Sequence, residues 1–295
     1  MLKILSGVAV CIMGAVAAVA SYFMHHNEPS TTVCCQLKMP AISSFAAFAS
    51  DRAFIDKHIE PLSFNFVSQA GGKMISYPTA DGKTAQAWLI PAKKKSNQYL
   101  FVFHEWWGLN DHIKAEAEKF YHDLPNINVL CLDLYDGQVA TTREQAAQQM
   151  QALNQERAVA IVKGAIAYAG KKANIFTIGW CMGGSWSLQT ALLAGKQAKG
   201  CVMYYGMPER NVERLKTLQT DVLGIFAGQE QWISPKVVAE FDANMKQAGK
   251  QLTYKIFDAD HAFANPSNPK FVKQAADEAY AMSLDYFRQR MSSTK

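Results

Sequence analysis

Several signatures are missing from this chain, and each absence closes off a class of function. Its 30 lysines and arginines are scattered, Lys93-Lys94-Lys95 is the one basic run, and a net charge of +5 is mild for 295 residues. Nucleic acid is therefore not an expected partner. No C-x-x-C pair occurs, which removes the usual thiol-redox motif. The segment HEWWGLNDH lacks the H-E-x-x-H spacing and the other histidines are dispersed, so neither a metal site nor a cofactor is expected. Internal repeats and low-complexity tracts are absent as well. What is present is 49% hydrophobic and 19% charged residues, a composition that can bury a sizeable core.

The first apolar feature lies at the N-terminus. From Ile4 to Met24 the chain is almost entirely apolar or small, with Lys3 as the early charge and Ala18-Val19-Ala20 as an A-x-A cleavage motif. This reads as a signal peptide over residues 1–20. Its length also fits an uncleaved membrane tether over residues 4–24. The expected location is thus exported, periplasmic or secreted, with membrane anchoring as the alternative. Of six cysteines, Cys11 falls in this segment; five remain, and an odd number leaves at least one free thiol. The neighbours Cys34 and Cys35 are not expected to pair with each other. Cys131 and Cys201 lie in apolar runs and read as buried small hydrophobes. Cys181 is left over.

A leader segment follows over residues 21–69, in which AISSFAAFASDRAFIDKHI has the spacing of one helix docking on the domain. From about Met74 the rhythm changes. MISYPT and TAQAWLIP flank Asp81-Gly82 and predict an antiparallel hairpin. Short apolar runs come next: QYLFVF, INVLCLDL, ANIFTIGW, GCVMYYG, DVLGIFAG and LTYKIFDA. Helical spacing fills the gaps at 111–124, 142–170, 184–196, 208–218, 235–248 and 269–291. Alternating strands and helices require a mostly parallel sheet with helices on both faces. The fold class is α/β, with one domain over residues 70–295.

The chemistry concentrates at strand ends. Gly179-Trp180-Cys181-Met182-Gly183-Gly184 stands between a strand and a helix, the setting of the nucleophile elbow in an α/β-hydrolase fold, with cysteine as nucleophile. The following helix N-terminus favours a thiolate and supplies oxyanion donors. His261, after LTYKIFDA, is the candidate base, whereas His25, His26, His58 and His122 read as solvent-facing or structural. The triad acid belongs after DVLGIFAG, where Glu230 is the one carboxylate of the loop. Asp221 lies at the wrong end of that strand, Asp242 in the next helix, and Asp258 and Asp260 outside the expected slot. Glu105, beside Trp106 and Trp107, is expected to be desolvated, with a raised pKa that lets it exchange a proton with a neighbouring thiol. The backbone N–H groups of Met182 and Trp106 are the expected oxyanion hole. Tyr135, Trp107 and Trp232 are candidates for the substrate wall.

Taken together, HEWWGLN, DLYDGQ, GWCMGG, YYG, GQEQW and DADHAFANP, in this order, resemble the dienelactone hydrolase family over about residues 70–290. The resemblance implies a Cys-acid-His triad that opens an ester or lactone through an acyl-enzyme, carried here by Cys181, Glu230 and His261. It also implies a glutamate, here Glu105, that contacts the resting thiol. Two departures from the family pattern matter. The acid is Glu230 where the family has Asp, and Gly137 and Asn265 stand where dienelactone enzymes carry carboxylate-binding arginines. Bidentate recognition of a carboxylate is lost with those guanidiniums, so dienelactone itself is not the expected substrate. The expected partner is a small-molecule ester or lactone, and the expected state a monomer or weak homodimer. A non-catalytic scaffold that dimerises through Cys34 and Cys35 is the competing reading, and a redox role for Cys181 the third.

Overall fold

The computed structural model describes residues 40–292. The apolar N-terminal segment, Cys34, Cys35, His25 and His26 lie outside the described residues. Among the described residues no helix is long and apolar enough to cross a membrane.

Two short helices come first, α1 (Pro40–Phe48) and α2 (Arg52–Lys57). The sequence pattern predicts one helix here, and Asp51 is what divides it. Its backbone is extended (φ −88°, ψ 112°), and its carboxylate accepts from the N–H groups of Ala53 and Phe54, capping a new helix where the old one would have continued.

The strands are β1 (Lys73–Pro78), β2 (Thr84–Ile90), β3 (Gln98–Phe103), β4 (Asn128–Leu132), β5 (Asn174–Trp180), β6 (Ala198–Tyr204), β7 (Val222–Ala227) and β8 (Leu252–Phe257). They form one sheet in the order β1-β2-β4-β3-β5-β6-β7-β8. β1 and β2 make the predicted antiparallel hairpin, with Tyr77 opposite Ala85. β2 also runs antiparallel to β4, and every later pairing is parallel. Burial on both faces explains why the central strands read as apolar runs; all six residues of β7 are buried.

The connecting helices are α3 (Asp111–Asp123), α4 (Arg143–Ala152), α5 (Gln155–Ala169), α6 (Met182–Ala194), α7 (Val212–Lys216), α8 (Pro235–Gln247) and α9 (Lys273–Ser292). The stretch 142–170, predicted as one helix, is two. Asn154 caps the second by accepting from the Arg157 N–H at 3.0 Å, and a Thr142/Gln145 capping box starts the first. The helix expected over 208–218 shrinks to α7, because Asn211 is its N-cap. Parallel strands β3 to β8 all end at one edge of the sheet, where an open α/β sheet gathers its functional loops. The candidate site is built there.

Candidate active site

The centre of the site is a strained turn. β5 ends at Trp180, α6 begins at Met182, and Cys181 between them has φ 58°, ψ −123°. A side chain rarely adopts that conformation, and it persists only where surrounding structure enforces it. Here the Cys181 N–H donates to the Tyr204 carbonyl at 3.0 Å, and the Cys181 carbonyl accepts from the Gly184 N–H at 3.0 Å. The flanking glycines make room for the turn. A Cβ on Gly179 would lie 2.1 Å from the Gly183 carbonyl oxygen, and one on Gly183 would lie 2.3 Å from that of Phe103. Helix α6 can therefore start directly under β3 and β5. The Met182 N–H faces the Cys181 sulfur and favours its anionic form.

Loops after β7 and β8 bring the other two groups. His261 Nδ1 lies 2.9 Å from Glu230 Oε2, with both side chains buried. Glu230 Oε1 also accepts from the Ile233 N–H at 3.3 Å. The Cys181 sulfur and a His261 ring nitrogen lie within 4.8 Å of one another. Burial works against a charged imidazole, but the Glu230 carboxylate and Cys181 outweigh it and hold the His261 pKa well above its ordinary value. Burial raises the pKa of the Cys181 thiol, partly offset by His261.

The other acids weighed from the sequence are engaged elsewhere. Asp221 accepts from Arg290 Nε at 2.8 Å, Asp242 from Lys246 at 2.6 Å, Asp258 from Gln229 at 2.9 Å and Asp260 from Lys270 at 2.6 Å.

The loop after β3 adds Glu105. Its carboxylate is buried, and burial pushes its pKa up to about 7, against His261 and the Asn265 hydrogen bond, which pull it down. Asn265 Nδ2 donates to Glu105 Oε2 at 2.6 Å, so the residue standing in an arginine's place positions this carboxylate. The loop is braced by His104, whose Nδ1 donates to the Glu105 carbonyl at 2.6 Å while its Nε2 accepts from the Leu134 N–H at 3.1 Å. The Trp106 backbone N–H has no hydrogen-bond partner among the described residues.

The aromatic candidates divide. The Tyr135 hydroxyl donates to Met182 Sδ at 3.2 Å, inside the site. Trp107 packs edge-on against Trp106 with ring centroids 5.1 Å apart. Trp232 turns to the leader instead, its Nε1 donating to Asp51 Oδ2 at 2.8 Å and its ring meeting Phe54 edge-on at 5.1 Å. The whole cluster is closed over, and Cys181 is 1% exposed.

Three residues come to the site without having been singled out from sequence. His58, expected to be solvent-facing or structural, is 5% exposed and lies at the centre, its ring 5.0 Å from His261 and 4.6 Å from Trp106. Its Nδ1 donates to the Phe54 carbonyl at 2.7 Å. Burial first, and His261 second, lower its pKa to about 3, so it is a neutral imidazole. Phe54 packs on Trp106 at 5.6 Å. Tyr205, at φ 34°, sets its ring 4.9 Å from His261. His58 is the C-cap of α2, with an extended backbone (φ −93°, ψ 99°), and no local sequence signal marks it for the site. His122 is half exposed, 3.7 Å from Glu118 and away from the site.

A parallel sheet with a nucleophile elbow, and a histidine and a carboxylate on later loops, defines an α/β-hydrolase. Residues 86–291 match the dienelactone hydrolase family. The chain belongs to that family and is a hydrolase of the ester- and lactone-cleaving class. It is 23% identical over 214 residues to a protein named "Putative carboxymethylenebutenolidase" from Aquifex aeolicus, covering 68% of this chain and 91% of that one. Two solved structures share the fold. One is a dienelactone hydrolase-like promiscuous phosphotriesterase from metagenomic libraries, with TM-score 0.64 and 17% identity over 74% of this chain and 98% of that one. The other is a Pyrococcus furiosus esterase, with TM-score 0.58 and 13% identity over 79% of this chain and all of that one (100%).

Proposed function

We propose that this chain hydrolyses a small ester or lactone through a thioester on Cys181, with His261 and Glu230 completing the triad. The observation that carries this reading is the Glu230–His261 contact of 2.9 Å, converging with the sulfur of a strained elbow.

Proton affinities assign the roles. The Glu230 carboxylate favours the imidazolium form of His261, which suits His261 to donate a proton to the leaving group. Glu105, with a pKa of about 7, is the matched acceptor, and as it takes the proton the thiolate forms. The sulfur attacks the carbonyl carbon, and the N–H groups of Met182 and Trp106 bind the oxyanion. As the C–O bond breaks, the His261 imidazolium protonates the leaving alkoxide. The imidazole, now neutral, takes a proton from water, which attacks the thioester carbonyl; Cys181 leaves as a thiolate and regains its proton from Glu105. Tyr135 and Trp107 form the apolar wall of the substrate site. The N-terminal segment exports the chain or tethers it to a membrane.

A panel of p-nitrophenyl esters and small lactones, assayed with the full chain and with Cys181→Ala and Cys181→Ser, tests the reading. Turnover is expected with the native chain and is expected to disappear in both variants. Full activity in both would exclude Cys181 as nucleophile.

A further inference from the structure

His58 belongs to the leader, outside the segment that matches the family, yet it reaches the centre of the site. One ligand atom each from His58, Cys181 and His261 lies within 4.8 Å of the other two, and all three side chains are buried. The histidines, dispersed in sequence, thus converge with a sulfur in space. We propose that this trio is a binding site for a zinc-class divalent cation, and that the cation holds the site inactive.

Each ligand is oriented for the task. The His58 Nδ1–H is committed to the Phe54 carbonyl at 2.7 Å, which fixes the tautomer whose Nε2 carries the free lone pair. That Nε2 is buried and has no hydrogen-bond partner. On the second histidine, Glu230 Oε2 lies 2.9 Å from His261 Nδ1, and His261 Nε2 is buried without a hydrogen-bond partner. A backbone carbonyl behind one imidazole and a carboxylate behind the other are the outer-sphere partners that metal-binding histidines use. Two imidazoles and one thiolate suit zinc, and three protein ligands leave the fourth position open. Contraction of the trio is needed, since zinc bonds of about 2.0–2.3 Å bring ligand atoms closer than 4.8 Å. His58 follows directly on the six-residue α2, and residues 59–72 beyond it have no regular structure.

The balance is simple. The cation forms bonds to Cys181 Sγ, His58 Nε2 and His261 Nε2; the thiol proton and any proton on His261 Nε2 pass to solvent, and nothing is oxidised or reduced. Both the sulfur lone pair and the imidazole needed for hydrolysis are then occupied. The inhibitory part of the inference rests on the proposed role of Cys181, whereas the binding part does not.

The test is cobalt(II) titration of the full chain carrying Cys34→Ser and Cys35→Ser, which removes the adjacent thiols as competing ligands. One equivalent should give a sulfur-to-cobalt charge-transfer band and the visible bands of a four-coordinate ion, displaced by zinc. His58→Ala and His58→Gln, checked for native folding by circular dichroism, should each weaken binding by more than about 100-fold, exceeding the cost of losing an outer-sphere partner. Cys181→Ala should abolish the charge-transfer band. Zinc should inhibit ester hydrolysis, and a chelator should restore it. A charge-transfer band that depends on His58 in a chain inactive on every ester would keep the cation site and remove the hydrolase reading. Activity without such a band, or a band unchanged in folded His58 variants, would overturn the inference.

Discussion

Glu230 Oε2 stands 2.9 Å from His261 Nδ1, so the longer acid reaches the imidazole from its own loop without help. Shortening it should withdraw the carboxylate by one methylene. Glu230→Asp is expected to lower kcat/KM on p-nitrophenyl acetate by about 10-fold or more. Glu230→Gln, which cannot stabilise an imidazolium, should approach the roughly 10⁴-fold loss known for triad amides. Equal activity of all three proteins would remove Glu230 from the triad.

The buried Glu105 ties stability to pH. Its pKa is about 7 when folded against an ordinary 4.5, so the folded state binds more protons between these values. Stability from this group is therefore complete below pH 4.5 and is lost as pH rises through 7, by roughly 3 kcal/mol at most. Glu105→Gln should flatten that dependence, and melting temperatures of the two proteins from pH 4.5 to 8 check it. Removing the Asn265 hydrogen bond with Asn265→Ala should move the loss to higher pH.

The leader is expected to control access to the thiol. Phe54 is fully buried between Trp232 and Trp106, and Trp232 is bonded to Asp51. Phe54→Ala should remove the packing that docks α2, costing about 3–5 kcal/mol if the gap does not collapse. Iodoacetamide should then alkylate Cys181 faster than in the native chain, as read by peptide mass. An unchanged rate would mean that the thiol is reached without moving α2.

Backbone crowding at the elbow gives a purely structural check. A Cβ on Gly183 would lie 2.3 Å and 2.5 Å from the carbonyl oxygens of Phe103 and His104, neither of which can swing away. Gly183→Ala should lower stability by about 1–3 kcal/mol or more, measured by urea unfolding, and should lower activity in parallel.

Much of the fold was legible because hydrophobic runs and helical spacing are set by burial, and the parallel strands are buried on both faces. Boundaries failed where a polar cap overrode periodicity: Asp51 and Asn154 each start a helix inside a stretch whose apolar spacing runs on. The elbow was legible because Gly179 and Gly183 are dictated by backbone contact at short range, and the positions of Glu230 and His261 follow from strand order. His58 was not. Nothing near it in sequence distinguishes a surface histidine from one that folding carries 5.0 Å from His261. Trp232 illustrates the same limit in reverse, since its partner Asp51 is distant along the chain and no local pattern announces the contact. The arginine position taken by Asn265 could be read as a loss of charge, but its bond to Glu105 could not.

The central claim is that Cys181 carries the acyl group. The most direct measurement is intact mass of the full chain quenched during p-nitrophenyl acetate turnover, followed by peptide mapping. The account predicts a +acetyl species on the peptide containing Cys181, labile to hydroxylamine and absent from Cys181→Ala. Turnover with no adduct in a protein whose deacylation has been slowed by His261→Ala, or an adduct on another residue, would contradict it.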